Sequence, residues 1–537
     1  ASGEIVCRSD LDPTALPWVG GAFPIPVFSD GGFPGRFTEF VSFTPGDGQC
    51  VPFNPFGSNS ANADYANFVY VNGQDNVELE QRVFFASVNG TSSSLFELPA
   101  GPLGWAAGIE HREEKSAFEV SAIEQGGNTW IGSRGLQTNN VSGDYDVFDY
   151  FVEGQAPLFA DLPLIHYLEV TGAARFSDYS TVGKNNAWST GLRWSPIAGV
   201  TLRSSYSEAV RAPNVGELFS PRQPRTFDVD EDPCSIQNIV EPTGVREANC
   251  AEFVPDGFNA NSFITAGIPG VTGGNPDLSE EEAETVTVGL VLDSPTFLPG
   301  FRLMLDYYEI KIAGAIASLE SEDVAAACVD LASTDNQFCD LIQRDPTDGF
   351  ITFHESGQLN LGAFETSGVD FSASYDFDLG QLLSKQSDFG LLSLRVTGTN
   401  LLTFDEFQDP ANPSLAVDRV EEFGYPEWIL NVRADWAYKD LMLSWASRYE
   451  SSQLLFGVEN RRFDPDPDTG IVPMFVSPAR TGSSWVHDLN FSYDITEQVD
   501  VFGGLNNVLD EEPYLGTLSR PAGPRGRFFF AGVNLRL

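Results

Sequence analysis

Apolar and polar residues alternate with a period of two along much of the chain. From Ala187 to Trp194, Trp188, Thr190, Leu192 and Trp194 share one face, and Ala187, Ser189, Gly191 and Arg193 share the other. A tight breaker follows, Ser195-Pro196-Ile197-Ala198-Gly199. Alternation then resumes, with Val200, Leu202 and Tyr206 opposite Thr201, Arg203 and Ser205. This is the signature of an antiparallel hairpin with one apolar and one wet face. The unit recurs. Trp428, Leu430, Val432, Ala434 and Trp436 oppose Asn431, Arg433 and Asp435. After Lys439-Asp440, Leu441, Leu443 and Trp445 oppose Met442, Ser444 and Arg448. Trp485, Leu489, Phe491 and Tyr493 oppose Asp488, Asn490, Ser492 and Asp494, and Leu168, Val170, Ala174 and Phe176 oppose Glu169, Thr171 and Arg175.

The pattern predicts strands at 82–97, 105–120, 144–160, 162–178, 185–196, 199–210, 282–294, 301–316, 362–379, 388–404, 424–438, 439–452, 484–496, 499–510 and 526–537. A water-soluble sandwich would alternate too, but three features favour a barrel in lipid. The wet faces carry Arg, Asp and Glu well inside strands, as a polar lumen allows. Trp and Tyr recur near strand ends, like interfacial girdles. Connections alternate in length: Ser195–Gly199, Lys439-Asp440 and Thr496-Glu497-Gln498 are short, whereas Ser220–Glu280, Ser318–Gly349, Phe404–Gly424 and Ser451–Ser483 are long. Short periplasmic turns alternating with long external loops mark outer-membrane barrels, and compact soluble domains rarely hold so many long loops. The expected fold is all-β, an antiparallel transmembrane β-barrel.

Composition narrows this further. At 537 residues the chain exceeds one ordinary globular core, yet Gly and Pro are spread along it and no linker divides it. No stretch approaches the roughly 18 apolar residues of a membrane helix, which excludes helical spans but not barrels. Lys+Arg number 30 against Asp+Glu 76, a net charge of −46. That argues against nucleic acid, whose phosphates would be repelled. It is compatible with acidic loops that keep the protein soluble in a salty habitat, or with attraction of cationic or metal-bearing ligands.

Six cysteines form three sequence-local pairs, Cys7 with Cys50, Cys234 with Cys250, and Cys328 with Cys339, each in a stretch rich in Asp, Asn, Pro and Gly. Even count and loop context suggest disulfides made in an oxidising compartment; the alternative is unrelated free thiols. No Cys/His spacing suggests zinc.

Several segments resemble TonB-dependent outer-membrane receptors. "SYSEAVRAPNVGELF" (Ser205 to Phe219) is similar to that family's ascending strand and RAP-x-x-x-EL-[FY] segment, and "GNPDLSEEEAETVTVGL" (Gly274 to Leu290) to its NP-x-L-x-x-E segment. "ETSGVDFSASY" (Glu365 to Tyr375) resembles its E-T-x-G-[VI]-[DE] strand, and "GGLNNVLDEEP" (Gly503 to Pro513) its NN-[LV]-x-D ending. The order and the terminal "GRFFFAGVNLRL" strengthen the likeness. "CVPFNPFG" (Cys50 to Gly57), "FELPAGPLGWAAGIEHREE" (Phe96 to Glu114) and "ARFSDYSTVG" (Ala174 to Gly183) look like its large proteobacterial members, many of which are linked to oligosaccharides or other sizeable nutrients.

The resemblance implies an outer-membrane receptor that binds a nutrient at its external loops and imports it with energy from a TonB complex. A passive pore, or a structural or adhesive surface barrel, remains the alternative. The family's N-terminal plug and TonB box do not occur in this sequence. Roughly fifteen strands is odd, and short of the about 22 strands of a plugged transporter. The expectation is therefore an external loop region at 1–81, barrel strands and loops over 82–537, an external N-terminus and a periplasmic C-terminus. A companion N-terminal segment would carry the plug and the remaining strands, and the outside of the wall would meet outer-membrane lipid and lipopolysaccharide.

No enzyme constellation emerges. His111, His166, His354 and His487 have no Ser or Cys partner at a recognisable spacing, and nothing calls for a cofactor. Two acidic runs, Asp228, Asp230, Glu231 and Asp232, and Asp464, Asp466 and Asp468 before Gly470, resemble calcium loops only in part; the second lacks the distal bidentate Glu, and a solvated loop is the competing reading. Loop aromatics Phe53, Phe56, Phe219, Phe258, Phe263, Phe456, Phe463 and Phe475 would either stack on a sugar or apolar ligand or pack the long loops together. Arg193, Arg203, Arg433 and Arg448 are expected to pair with lumenal carboxylates, some of them on the plug.

Overall fold

The computed structural model describes residues 51, 63–70, 73–125, 139–227, 231–239, 245–260, 268–382, 388–407, 416–454, 480–513 and 526–536. Nineteen strands belong to one sheet. In chain order they are β1 Asn76–Thr91, β2 Gly104–Glu119, β3 Val141–Leu162, β4 Ile165–Tyr179, β5 Gly183–Ile197, β6 Val200–Arg211, β7 Gln223–Phe227, β8 Ile268–Gly273, β9 Glu281–Asp293, β10 Phe301–Leu319, β11 Ile342–Arg344, β12 Ile351–Asp378, β13 Leu391–Phe407, β14 Val417–Asp418, β15 Trp428–Tyr438, β16 Leu441–Glu450, β17 Ser484–Thr496, β18 Val499–Asn506 and β19 Phe528–Leu535.

Fifteen long strands form one antiparallel ladder, β1-β2-β3-β4-β5-β6-β9-β10-β12-β13-β15-β16-β17-β18-β19. Each corresponds to one strand of the sequence pattern. Three boundaries differ by more than four residues: β1 spans Asn76–Thr91 rather than 82–97, and β12 begins at Ile351 rather than 362. Among the described residues β1 and β19 do not pair, so the sheet is open. No described helix is long and apolar enough to cross a membrane.

Along the wall strands most large apolar side chains are exposed on one face rather than packed into a core. On β9, Val286 and Val288 are exposed on one face while Thr285, Thr287 and Gly289 lie on the other. The same parity exposes Phe148, Tyr150 and Val152 on β3, Leu192 on β5 and Leu489 and Phe491 on β17. Near the short-turn end, two indoles on this apolar face donate to turn carbonyls, Trp194 Nε1 to Leu164 O and Trp436 Nε1 to Phe389 O, both at 2.9 Å. Near the other end Trp188 donates to Glu208 at 2.7 Å and lies beside Tyr206. Aromatic rings with a wet polar tip at both edges of an apolar band fit a membrane-spanning wall.

Most connections at one end are tight, as between Leu162 and Ile165, Ile197 and Val200, and Tyr438 and Leu441. At the other end they are long, except for the three-residue link from Tyr179 to Gly183. β12 has 28 residues, whereas a strand needs about 9–11 to cross a bilayer. Its first part stands above the wall and joins a separate body there.

Candidate functional site

The long-loop end carries that body, a cap built from two loops. The loop between β6 and β9 supplies β7, a short helix Val245–Cys250, and β8; the loop between β10 and β12 supplies a helix Ser321–Asp330 and β11. β7 pairs with β8, β8 runs parallel to β12 from His354 to Gly357, and β11 pairs with β12 from its other side. A strand of one loop is thereby hydrogen-bonded to the extension of the other.

Unlike the wall, the cap has a buried apolar core. Val324, Ala327, Val329, Leu331, Phe338, Phe258 and Ala260 pack around two disulfides, Cys234–Cys250 and Cys328–Cys339. A second cluster of Phe227, Ile268, Ala325 and Ile351 lies under the sheet. The disulfides join the chain locally, across 16 and 11 residues, so neither links the two loops; polar contacts do that. Arg344 meets Asp232 through two nitrogens at 2.7 and 2.8 Å, with the Asp232 side chain only 1% exposed. Arg246 reaches both oxygens of Asp330 at 2.6 and 2.5 Å. Asn249 Nδ2 donates to Val329 O and Leu331 O. A charge buried this deeply requires such a partner.

Beside the cap, the helix Val215–Phe219 begins with a capping box: Asn214 accepts from Glu217 N, and Glu217 accepts from Asn214 N. Glu217 and Glu281 both hold Arg211, which ties the top of β6 to the start of β9. A further group of loops is fixed by Gln453, which accepts from Gly424 N at 2.8 Å, and by Arg419, which pairs with Glu406 and Glu422.

Below the loops, the polar face of the wall is lined by paired charges. Arg203 on β6 grips Asp306 on β10 at 2.9 and 2.6 Å, reaching across β9. β9 carries Gly289 at the crossing, and a Cβ there would fall on the Asp306 carboxylate. Arg175 pairs with buried Asp149 at 2.7 Å and with Glu110 at 3.3 Å. Glu169 accepts from Gln155 and Tyr167. Asp435 accepts from Arg433 and Ser444, and Asp500 from Asn534.

A family model, TonB dependent receptor-like β-barrel, matches residues 40–508. The chain belongs to that family. It is an outer-membrane β-barrel of a receptor family, not of an enzyme family. Solved structures of similar fold include the ferric enterobactin receptor PfeA of Pseudomonas aeruginosa, at a TM-score of 0.52 and 16% identity over 86% of this chain and 54% of that one. The siderophore receptor PirA of Acinetobacter baumannii aligns at a TM-score of 0.50 and 14% identity, over 86% of this chain and 55% of that one. The chain thus spans about half the length of these receptors.

In the family's terms the polar face is the lumenal wall. Of the four arginines expected there, Arg203 and Arg433 pair with carboxylates of the wall itself. Arg193 lies directly opposite Arg203 and stacks its guanidinium 5.5 Å from the Tyr167 ring centroid, away from the like charge. Arg448 makes no ion pair with a described residue.

Of the aromatic residues expected at a ligand, two are described: Phe258 is buried and Phe219 half-buried. Phe258 is 7% exposed in the cap core, edge-on to Phe350 at 5.1 Å. Phe219 packs with Tyr145, Val215, Leu218 and Leu278, over the backbone of Gly143. Phe263, Phe456 and Phe463 lie outside the described residues, as do Phe53, Phe56, Phe475, the Cys7/Cys50 pair and Asp464, Asp466 and Asp468. Of the other acidic run, Asp232 is taken up by Arg344. Among the described residues no three His, Cys, Asp or Glu side chains are grouped to hold a metal ion. The cross-loop partners Arg246, Asn249 and Arg344 carried no sequence signal, because their cross-loop contacts lie 80 or more residues away.

Proposed function

We propose that this chain forms the wall and outer mouth of an active-transport receptor, which binds a nutrient at its long-loop end and imports it with TonB-supplied energy. One observation carries the reading: a polar-lined, membrane-spanning wall of the TonB-dependent receptor family with large ordered loops gathered above one end. In this reading the long loops are external, the residues before β1 form an external loop region, and the C-terminus is periplasmic. The edges of β1 and β19, unpaired among the described residues, support a companion N-terminal segment that brings the plug and the strands that close the barrel, because an open sheet edge is not tolerated in lipid. The apolar band and its aromatic rims face outer-membrane lipid, with lipopolysaccharide on the loop side.

Ligand choice resides in loops, which vary more than walls. Phe263, Phe456 and Phe463 are the aromatic ligand contacts of this proposal, and Cys7–Cys50 a third loop disulfide. The test is uptake of labelled nutrients, both iron chelates and oligosaccharides, by cells carrying or lacking the gene, with and without TonB. Uptake that needs both the gene and TonB is expected. Gene-dependent entry that persists without TonB, accompanied by steady ion conductance of the purified protein, would establish a passive pore instead.

A further inference from the structure

His354 sits where the two cap loops meet. On β12 it is the residue opposite Gly270 of β8 on one side and opposite Ile342 of β11 on the other. Its side chain is fully buried, in contact range of Phe227 and above a glycine; a Cβ at position 270 would clash with the imidazole ring. Nε2 lies 3.3 Å from the carbonyl of Ile268, an acceptor, so Nε2 carries the hydrogen. Nδ1 has no hydrogen-bond partner. The neutral ring fits this site. A proton on Nδ1 would create a buried donor and a buried charge with nothing to receive either.

The ionisable groups on the surrounding elements do not supply that partner. β8 has none. Arg225 on β7 pairs with Glu320 and disfavours a second cation. Arg344 on β11 is held by Asp232, and Glu355 next to His354 by Arg222. On the helix Ser321–Asp330, Asp330 is held by Arg246; Asp323 lies on the same helix, and Glu322 acts on the ring through its charge. Burial, ahead of the opposing pull of the Ile268 carbonyl and Glu322, keeps the imidazole below its ordinary range.

We propose that His354 is a proton-sensitive latch: neutral, it holds β8 of one loop and β11 of the other against β12, and protonated, it loosens that strand pairing so that the seam opens at β8 and β11. The sign follows from linkage. A histidine whose folded-state affinity for protons is depressed stabilises the closed seam above its ordinary pKa of about 6.5 and loses that contribution as pH falls below it. The placement of the seam outside the cell rests on the orientation proposed above. The latch itself is read from the protein alone, so its failure and the failure of the transport reading are distinguishable.

The experiment is hydrogen exchange of the full-length receptor, with β8 and β11 amides corrected for their intrinsic rates, between pH 8 and pH 5. The opening constant of the seam is expected to be flat above about pH 6.5 and to rise toward tenfold per pH unit below it, while wall amides such as those of β9 stay protected. His354→Phe, which keeps a ring in an apolar site, should remove the acid rise. Should that variant fail to fold, seen as loss of either cap disulfide, Glu322→Gln serves instead. It removes a carboxylate whose charge favours the imidazolium and should extend the rise to lower pH. A flat wild-type profile, an acid rise retained in His354→Phe, or a profile unchanged by Glu322→Gln would overturn the latch.

Discussion

Val288 in the wall and Val329 in the cap are the same side chain placed under opposite rules. Val288 is half exposed on the apolar face of β9, with Thr287 and Gly289 turned to the polar side. Val329 is fully buried beside two disulfides. In the wall, lipid replaces the core: the apolar groups point outward, and buried carboxylates such as Asp149, Glu169 and Asp435 are met on the lumenal side by Arg175, by Gln155 and Tyr167, and by Arg433. Water surrounds the cap, so it must build a core of its own. Two loops are a small body from which to do so, and small bodies are reinforced by disulfides and buried ion pairs. The two regions therefore fail differently when altered.

The largest expected effect is in the cap core. Phe258→Ala should cost the cap about 4 kcal/mol, as burying a cavity where an aromatic ring stood does elsewhere, and should leave the wall intact. Limited proteolysis of the loops, compared with heat-resistant migration of the barrel, separates the two; equal loss in both would break the contrast.

Next is the lipid face. Val288→Arg should cost about 3 kcal/mol if that face meets the bilayer midplane, whereas Thr287→Arg on the polar side should be far milder. Folding into vesicles across a urea series compares them, and equal effects would show that the apolar face does not meet lipid.

Replacing Cys328 and Cys339 together by Ser should destabilise the cap by about 2–3 kcal/mol, the expectation for a short closed loop. The readout is hydrogen exchange of the helix Ser321–Asp330, with no change expected in β9. Smallest is Asn214→Ala, which removes one half of a capping box and should cost about 1 kcal/mol. Faster exchange confined to Val215–Phe219 is the expected result, and a change reaching β3 would mean that this helix braces the wall as well.

Most of the wall was legible because its signal is local. The face of Val200, Leu202 and Tyr206 follows from neighbours two residues apart, and the β5–β6 turn from Pro196 and Gly199. Ser484–Thr496 is a strand with the limits that alternation predicts. The cap was not legible in this way. β7, β8 and β11 are too short to show a period, and the pairing of β8 with β12 is parallel and non-local. The start of β12 was missed for that reason: residues 351–360 alternate only weakly, and they are strand because β8 and β11 flank them. The cysteine pairs were visible because both lie close in sequence.

The sequence by itself determined which face of each wall strand meets lipid and which is polar, since alternation fixes a face once the chain is extended. It also determined the order of long and short connections and the local disulfides. Only the tertiary structure decided what the loops became. Whether Phe258 offers its ring to a ligand or to a core, whether Asp232 is a cation ligand or the partner of Arg344, and whether His354 is a surface residue or a buried one at a seam all depend on elements far away in the chain. Burial and ion pairing are properties of what surrounds a side chain, and in this protein those surroundings are assembled from two loops that alternation alone does not bring together.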